Sequence, residues 1–142
     1  MIAFKHSALI NAPVEKVFSI VADPGRIPEW RDDVPGVSEV SGGAGKGMTF
    51  TEEVHFMGTK QLHMKITEFV PNQKLVIEAQ GGMPMLPTQT FTFVPEGTGT
   101  RLTISVVMKT SGFFTMMEFM LPAQLKRILE KYFVRLDQLF KR

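Results

Sequence analysis

The sequence predicts an α+β fold in which a curved antiparallel sheet of six to seven strands is covered by one long C-terminal helix. Three observations carry this expectation. Residues 36–110 alternate apolar and polar side chains with period two, interrupted by short turn signals, which is the pattern of successive strands. The last stretch, "PAQLKRILEKYFVRLDQLFKR", instead sets Leu125, Ile128, Leu129, Tyr132, Leu136 and Leu139 on one side of a helix. A sheet with one apolar face must bury it against a second layer, and that helix is the only long element available. A strongly curved sheet closed over a single helix leaves room between them that side chains need not fill.

The elements follow in order. "IAFKHSALI" places Ile2, Phe4, Ala8 and Ile10 on one face together with His6, as a first strand. "NAPVEKVFSIVAD" reads as a helix, with Pro13 in its first turn, Glu15 near its positive end, and Val14, Val17, Phe18 and Val21 at helical spacing. Pro24-Gly25 ends it, and "RIPEW" has room for one or two turns of a second short helix before "RDDVPG" breaks again. Strands are expected near 37–41, 46–57, 61–70, 74–80, 88–95 and 100–110. The turns between them fall at Gly42–Gly45, Gly58-Thr59, Pro71-Asn72 and 96–99, short enough to make neighbours antiparallel. "GGMPMLP", residues 81–87, is too rich in proline for a strand and too apolar for an ordinary solvent loop. Pro122 restarts the helix after "FFTMMEFML", since it cannot donate to the preceding turn.

Composition narrows the function classes. The 142 residues read as one domain, 1–142, able to bury roughly 68–70% of its unfolded surface. There is no cysteine, so disulfides, thiol nucleophiles and Cys-ligated metals are excluded, and a cytoplasmic location is expected. Lys5 and His6 interrupt the opening segment before it reaches signal-peptide length, and no window is apolar enough for integral membrane association. The net charge is only +2 and the Lys/Arg residues form no dense run, so no nucleic acid partner is expected. His6, His55 and His63 lack metal-ligand spacing, "SGGAGKG" joins two strands without phosphate-loop spacing, and no serine sits in a nucleophile elbow. Neither a metal nor a cofactor is expected. Ten methionines and twelve phenylalanines against one tryptophan and one tyrosine are an uneven apolar palette, suited to surfaces that adapt to their contents.

Strand register decides which polar side chains enter the interior. A three-residue loop at 58–60 pairs Phe56 with Leu62, Val54 with Met64 and Phe50 with Glu68, keeping apolar faces together. Glu52 and Glu68 then fall on the apolar face, nearly diagonal to each other. Gln89 joins Phe91 and Phe93, His6 joins Phe4, and Tyr132 lies on the covered side of the last helix. Two carboxylates buried together have raised pKa values, which is how an acid/base pair is made. Glu52, Glu68, His6 and Tyr132 are therefore the candidate proton-transfer groups. The acids of "EWRDDV" are expected to face solvent.

The walls of the hollow are expected from Phe50, Val54, Met64, Ile66, Ile104, Leu125 and Leu129, with Gln89, Phe91 and Phe93. Met83, Met85, Leu86, Phe113, Phe114, Met116 and Met117 are expected to form an adaptable apolar gate at its mouth, the place that the family resemblance described below implies for these two segments. Phe113–Met120 alternatively reads as plain core, or as a membrane or homodimer contact.

The stretch "INAPVEKVFSIVADPGRIPEWRDDVPGV", with its helix opened by "AP-x-E-x-V-F" and "P-E-W" in the second short helix, is joined to the long terminal "LPAQLKRILEKYFVRLDQLFKR". Together they resemble the START-like, helix-grip (SRPBCC) superfamily, and within it the polyketide cyclase/dehydrase and lipid-transport group. The resemblance spans essentially the whole chain. It implies that the two short helices close one end of a cavity and that Trp30 plugs the gap between them and the sheet. It also implies that the cavity binds a small hydrophobic molecule such as a lipid, isoprenoid or polyketide. The same superfamily holds ring cyclases, in which Glu52, Glu68, His6 or Tyr132 would shuttle protons, and protein-interaction modules, so three functional classes stay open.

Overall fold

The computed structural model describes residues 1–55, 58–116 and 121–141. Strand β1 (Ile2–Ile10) leads into helix α1 (Val14–Val21), a 3-10 turn (Pro24–Arg26) and helix α2 (Ile27–Trp30). Six strands follow: β2 (Gly36–Ser41), β3 (Thr49–His55), β4 (Thr59–Val70), β5 (Lys74–Gly81), β6 (Leu86–Glu96) and β7 (Gly99–Lys109). Helices α3 (Phe113–Met116) and α4 (Leu121–Leu139) complete the chain. The sheet has seven strands in the order β1-β7-β6-β5-β4-β3-β2, antiparallel at every pairing. Helix α4 packs against β1 and α2, as the expected helix-grip arrangement requires.

Local sequence explains each closure. Pro13 sits at the N-cap of α1 with φ −62, and the helix buries Val17, Phe18, Ile20 and Val21. Phe18 meets Phe69 and Phe93 edge-on, with ring centroids at 5.2 and 5.1 Å, so α1 is fastened to the sheet by aromatic contacts. The Asp23 carboxylate accepts from the Gly25 N–H at 3.0 Å and opens the 3-10 turn. Buried Thr100 donates its hydroxyl to the Ala12 carbonyl at 2.8 Å, fixing the β1–α1 turn against β7.

Two features differ from the sequence reading. Strands β3 and β4 pair Phe50 with Met64 and Glu52 with Leu62, a register displaced from the expected one by an even number of residues. An even slip keeps every side chain on its face, so the apolar set stays inward; Phe56 lies outside the described residues. The second difference changes a face. Between Ile66↔Ile77 and Glu68↔Val76 strand β4 carries one extra residue, a β-bulge. Past it Phe69 turns toward the core, while Glu68 leaves the interior and pairs with Lys74 at the surface, 3.2 Å away. Glu68 is therefore not the partner of Glu52.

The "GGMPMLP" segment joins β5 to β6, and β6 begins at Leu86, two residues ahead of the expected boundary. Its turn depends on Gly82, at φ +117, where a Cβ would be driven into the Gln61 carbonyl of neighbouring β4. Gly82→Ala is therefore expected to cost on the order of 1–3 kcal/mol, from backbone strain plus a contact that cannot relax without moving β4. The urea midpoint checks this, and an unchanged midpoint would show that the turn has other conformations open to it.

Candidate functional site

Between the concave sheet and α4 lies a cavity of about 270 Å³. Its position follows from the geometry of closure: α4 lies along β1 and reaches α2, leaving the middle strands uncovered beneath it. Sheet residues Val54, Leu62, Phe91, Ile104, Val106 and Met108 form one wall. Helix α4 supplies Leu125, Ile128, Leu129 and Tyr132 to the opposite wall, and Met83, Met85 and Pro87 approach from the β5–β6 segment. Met85 is buried and Met83 half-buried against the core; these two residues of the expected gate border the cavity, whereas Leu86 and the exposed Met116 do not.

One end is closed by α2 and the loop after it. Trp30, the only tryptophan, is 2% exposed and stands edge-on to Phe91 of β6 and Tyr132 of α4, with centroids at 6.2 and 5.6 Å. Thus the indole joins the short helix, the sheet and the long helix at one point. The backbone turns extended at Arg31 (φ −125), ending α2 after one turn, and the next residues run back toward the end of β3. There the His55 N–H donates to the Asp33 carbonyl at 3.1 Å and anchors the loop.

This loop carries the polar groups of the site. Arg31 is buried and directs one guanidinium nitrogen, Nη1, to both oxygens of Glu52 at 3.3 and 3.4 Å. Its other terminal nitrogen, Nη2, donates to Asp33 Oδ2 at 3.3 Å, and Tyr132 donates its hydroxyl to the same oxygen at 2.8 Å. The guanidinium carbon also lies 5.0 Å from the centre of the Tyr132 ring, a cation–π contact. A cation, two carboxylates and a phenol from α4, β3 and the α2–β2 loop thus form a single network.

Burial and pairing pull these groups in different directions. Burial pushes the Glu52 carboxyl above its ordinary value, and the nearby Arg31 charge offsets only part of that. Burial also disfavours charge on Arg31, but Glu52, Tyr132 and Asp33 together hold its pKa well above the usual arginine range. For Asp33, burial is outweighed by the Arg31 charge and by hydrogen bonds from Arg31 and Tyr132, so its carboxyl lies below the usual range. Burial raises the Tyr132 phenol, which stays protonated and serves as a donor. At neutral pH the pair nearest the cavity is an arginine cation beside an aspartate anion.

The structure places the sequence-predicted residues differently. Trp30, Val54, Met83, Met85, Gln89 and Phe91 border the cavity, as do Ile104, Leu125, Leu129 and Tyr132. Phe50, Met64, Ile66 and Phe93 are fully buried but do not border it; they fill the core between the sheet and the helices. Glu52 is wholly buried behind Arg31, and His6 packs edge-on against Phe133 of α4 at 4.8 Å, so neither opens on the cavity. Glu68 lies on the surface because of the β4 bulge. Phe113 belongs to α3, Met116 is exposed, and Met117 lies outside the described residues.

Sequence reasoning missed Arg31 and Asp33. The acids of "EWRDDV" were expected in solvent, yet Asp33 faces the interior network. The overlooked signal was Glu52 itself: a glutamate placed inward by strand alternation is costly without a buried partner, and the non-periodic segment before β2 holds Arg31. Among the described residues no group of His, Asp and Glu is arranged to hold a metal ion.

Comparison with known proteins agrees with this architecture. Among solved structures, a START superfamily protein from Mycobacterium smegmatis superposes with a TM-score of 0.79 at 19% identity, covering 96% of this chain and 98% of that one. An aromatase/cyclase from a Streptomyces species superposes with a TM-score of 0.81 at 13% identity, covering 99% and 93%. A protein from Thermus thermophilus gives 0.73 at 17% identity, covering 94% and 96%. Identities this low speak for the fold alone. No curated protein shows significant sequence similarity to the chain. The family model for polyketide cyclase/dehydrase and lipid transport, however, matches residues 1–141, and the chain belongs to that family.

Proposed function

We propose that the protein binds a small hydrophobic molecule, of lipid, isoprenoid or polyketide type, inside the cavity between the sheet and α4. The observation that carries this is the cavity itself: about 270 Å³ and walled chiefly by Leu, Ile, Val, Met and Phe, with Arg31, Asp33 and Tyr132 joined in one network on its lining. An apolar cavity of about 150 Å³ in an engineered protein takes up benzene, so this one has room for a bicyclic ring system or a folded short chain. The methionines at Met83 and Met85 suit an occupant of variable shape. No helix among the described residues is long and apolar enough to cross a membrane, and the absence of cysteine supports action in the cytoplasm.

Native mass spectrometry of the purified protein, followed by solvent extraction, tests this reading. A stoichiometric apolar adduct is the expected result. A mass that stays apo even after incubation with excess naphthalene-sized compounds would count against it. Val106, on the cavity wall, offers a control. Val106→Phe adds volume at the cavity wall, so it is expected to cost no more than about 1–3 kcal/mol while removing the adduct. Retention of the adduct by a folded Val106→Phe protein would put the occupant elsewhere.

One observation favours a second reading, that of a cyclase or dehydratase. Asp33 borders the cavity as a carboxylate already oriented by Tyr132 and Arg31, as a positioned base would be. Turnover of a polyketide-like substrate that disappears in Asp33→Asn while its binding persists would support that reading over a carrier.

A further inference from the structure

We infer that Gln89 on β6 sets the specificity of the cavity, and that it selects an occupant with a carbonyl oxygen in the interior of its skeleton over a hydrocarbon of the same shape. This rests on the reading of the cavity as a ligand site and names a residue and a chemical class for it.

The first argument is where the side chain stands. Alternation along "PTQTF" turns Pro87, Gln89 and Phe91 inward, and all three border the cavity. Gln89 lies opposite Ile77 of β5 and Val106 of β7, both buried. Over the middle strands, from Leu75 to Ala79, Pro87 to Phe93 and Leu102 to Met108, every other inward side chain is apolar. Phe91, two residues further along β6, meets Trp30 at the closed end, while Pro87, two residues back, follows the segment of Met83 and Met85. Two residues of strand span about 7 Å, so Gln89 faces the middle of the cavity and neither of its ends.

The second argument is what the side chain lacks. Gln89 is 8% exposed, and among the described residues no hydrogen bond reaches its carboxamide. It stands outside the network of Arg31, Asp33 and Tyr132. A carboxamide so placed costs stability that an apolar residue of its size would not. An occupant filling the cavity also strips the amide of solvent, so it binds well only where it restores the hydrogen bonds that it displaces. A hydrocarbon restores none. The Gln89 side chain offers two N–H donors; a carbonyl oxygen accepts from them and brings no donor of its own that would need a partner on an apolar wall.

Calorimetric titration of the wild type and Gln89→Met with tetralin and 1-tetralone tests this, since the two compounds share one bicyclic skeleton and differ in a single ring carbonyl. Comparing each compound with itself across the two proteins cancels its own cost of leaving water. The dissociation constant of 1-tetralone is expected to rise about tenfold in Gln89→Met, and that of tetralin to change by less than about twofold. The urea midpoint of the ligand-free variant is expected to lie above that of the wild type, because an apolar side chain of similar length replaces an unpaired amide. A residue that only packs would shift both compounds alike. Equal changes for both compounds, an undiminished affinity for 1-tetralone, or a lowered midpoint would overturn the inference, while tetralin binding would keep the cavity as a site. Failure of both compounds to bind the wild type would remove the site and the inference with it.

Discussion

Arg31→Met is expected to destabilise the protein by about 3–5 kcal/mol at pH 7, more than any other single charge change among the described residues. The reason is what it leaves behind. Glu52 is 0% exposed and, among the described residues, Arg31 is the only cation within ion-pair distance of it. Without the guanidinium, a carboxylate sits in an apolar interior with nothing to compensate its lost hydration. Burial already raises the Glu52 pKa above the ordinary 4.5, and removing Arg31 raises it further. A carboxyl group whose folded pKa is raised contributes stability below its unfolded value and loses it as pH climbs through the folded value. The penalty of Arg31→Met should therefore be smaller at pH 5 than at pH 8. Asp33 has the opposite sign: its lowered pKa gives stability that is present above the ordinary 3.8 and disappears as pH falls through the folded value. The double variant Arg31→Met/Glu52→Met replaces the ion pair by apolar volume and should recover most of the loss, because the buried charge is gone. Urea denaturation of the wild type, both single variants and the double variant at the two pH values closes the cycle. A single-variant loss below about 1 kcal/mol would show that water reaches Glu52 and that the network is wetter than its geometry implies.

The same network marks where sequence reasoning succeeds and where it stops. Alternation in β3 places Glu52 inward because strand periodicity is strict and β3 is regular from Thr49 to His55. Helical spacing places Tyr132 beneath α4 for the same reason, and an even slip in the β3–β4 register leaves both conclusions intact. Glu68 fails because a single inserted residue in β4 reverses every face beyond it, and "KITEFVP" carries no glycine or other local mark of a bulge. Arg31 and Asp33 lie where no periodicity exists, after a one-turn helix and before a short edge strand. Their direction is set by the anchoring of Asp33 to His55 and of Tyr132 to Asp33, contacts between residues far apart in sequence. Periodic segments thus disclose the frame of the site, while its polar contents come from a loop whose course only the tertiary structure determines.

Trp30→Ala is expected to cost about 3–5 kcal/mol, as large-to-small changes in a core do. It removes edge-on contacts to Phe91 and Tyr132 and leaves a void where α2, β6 and α4 meet. Its second effect separates Trp30 from an ordinary core residue. The indole stands between the core and a hollow of about 270 Å³, so the vacated space joins that hollow and does not form an isolated void. Larger occupants should then fit. A tricyclic alcohol such as 9-anthracenemethanol, one ring larger than the bicyclic occupant expected of the native cavity, is expected to stabilise Trp30→Ala and leave the wild type unchanged. Ligand present at a hundred times its dissociation constant adds about 2.7 kcal/mol to the folded state, enough to restore most of the loss. Because the variant lacks the only tryptophan, circular dichroism has to follow unfolding in both proteins. Equal stabilisation of both would mean that the native cavity already admits three rings. A destabilised variant that the tricyclic alcohol does not rescue would mean that the space left by the indole collapses, and that Trp30 is packed into the core without bounding the site. Rescue confined to the variant identifies this side chain as the wall that sets the size of the occupant.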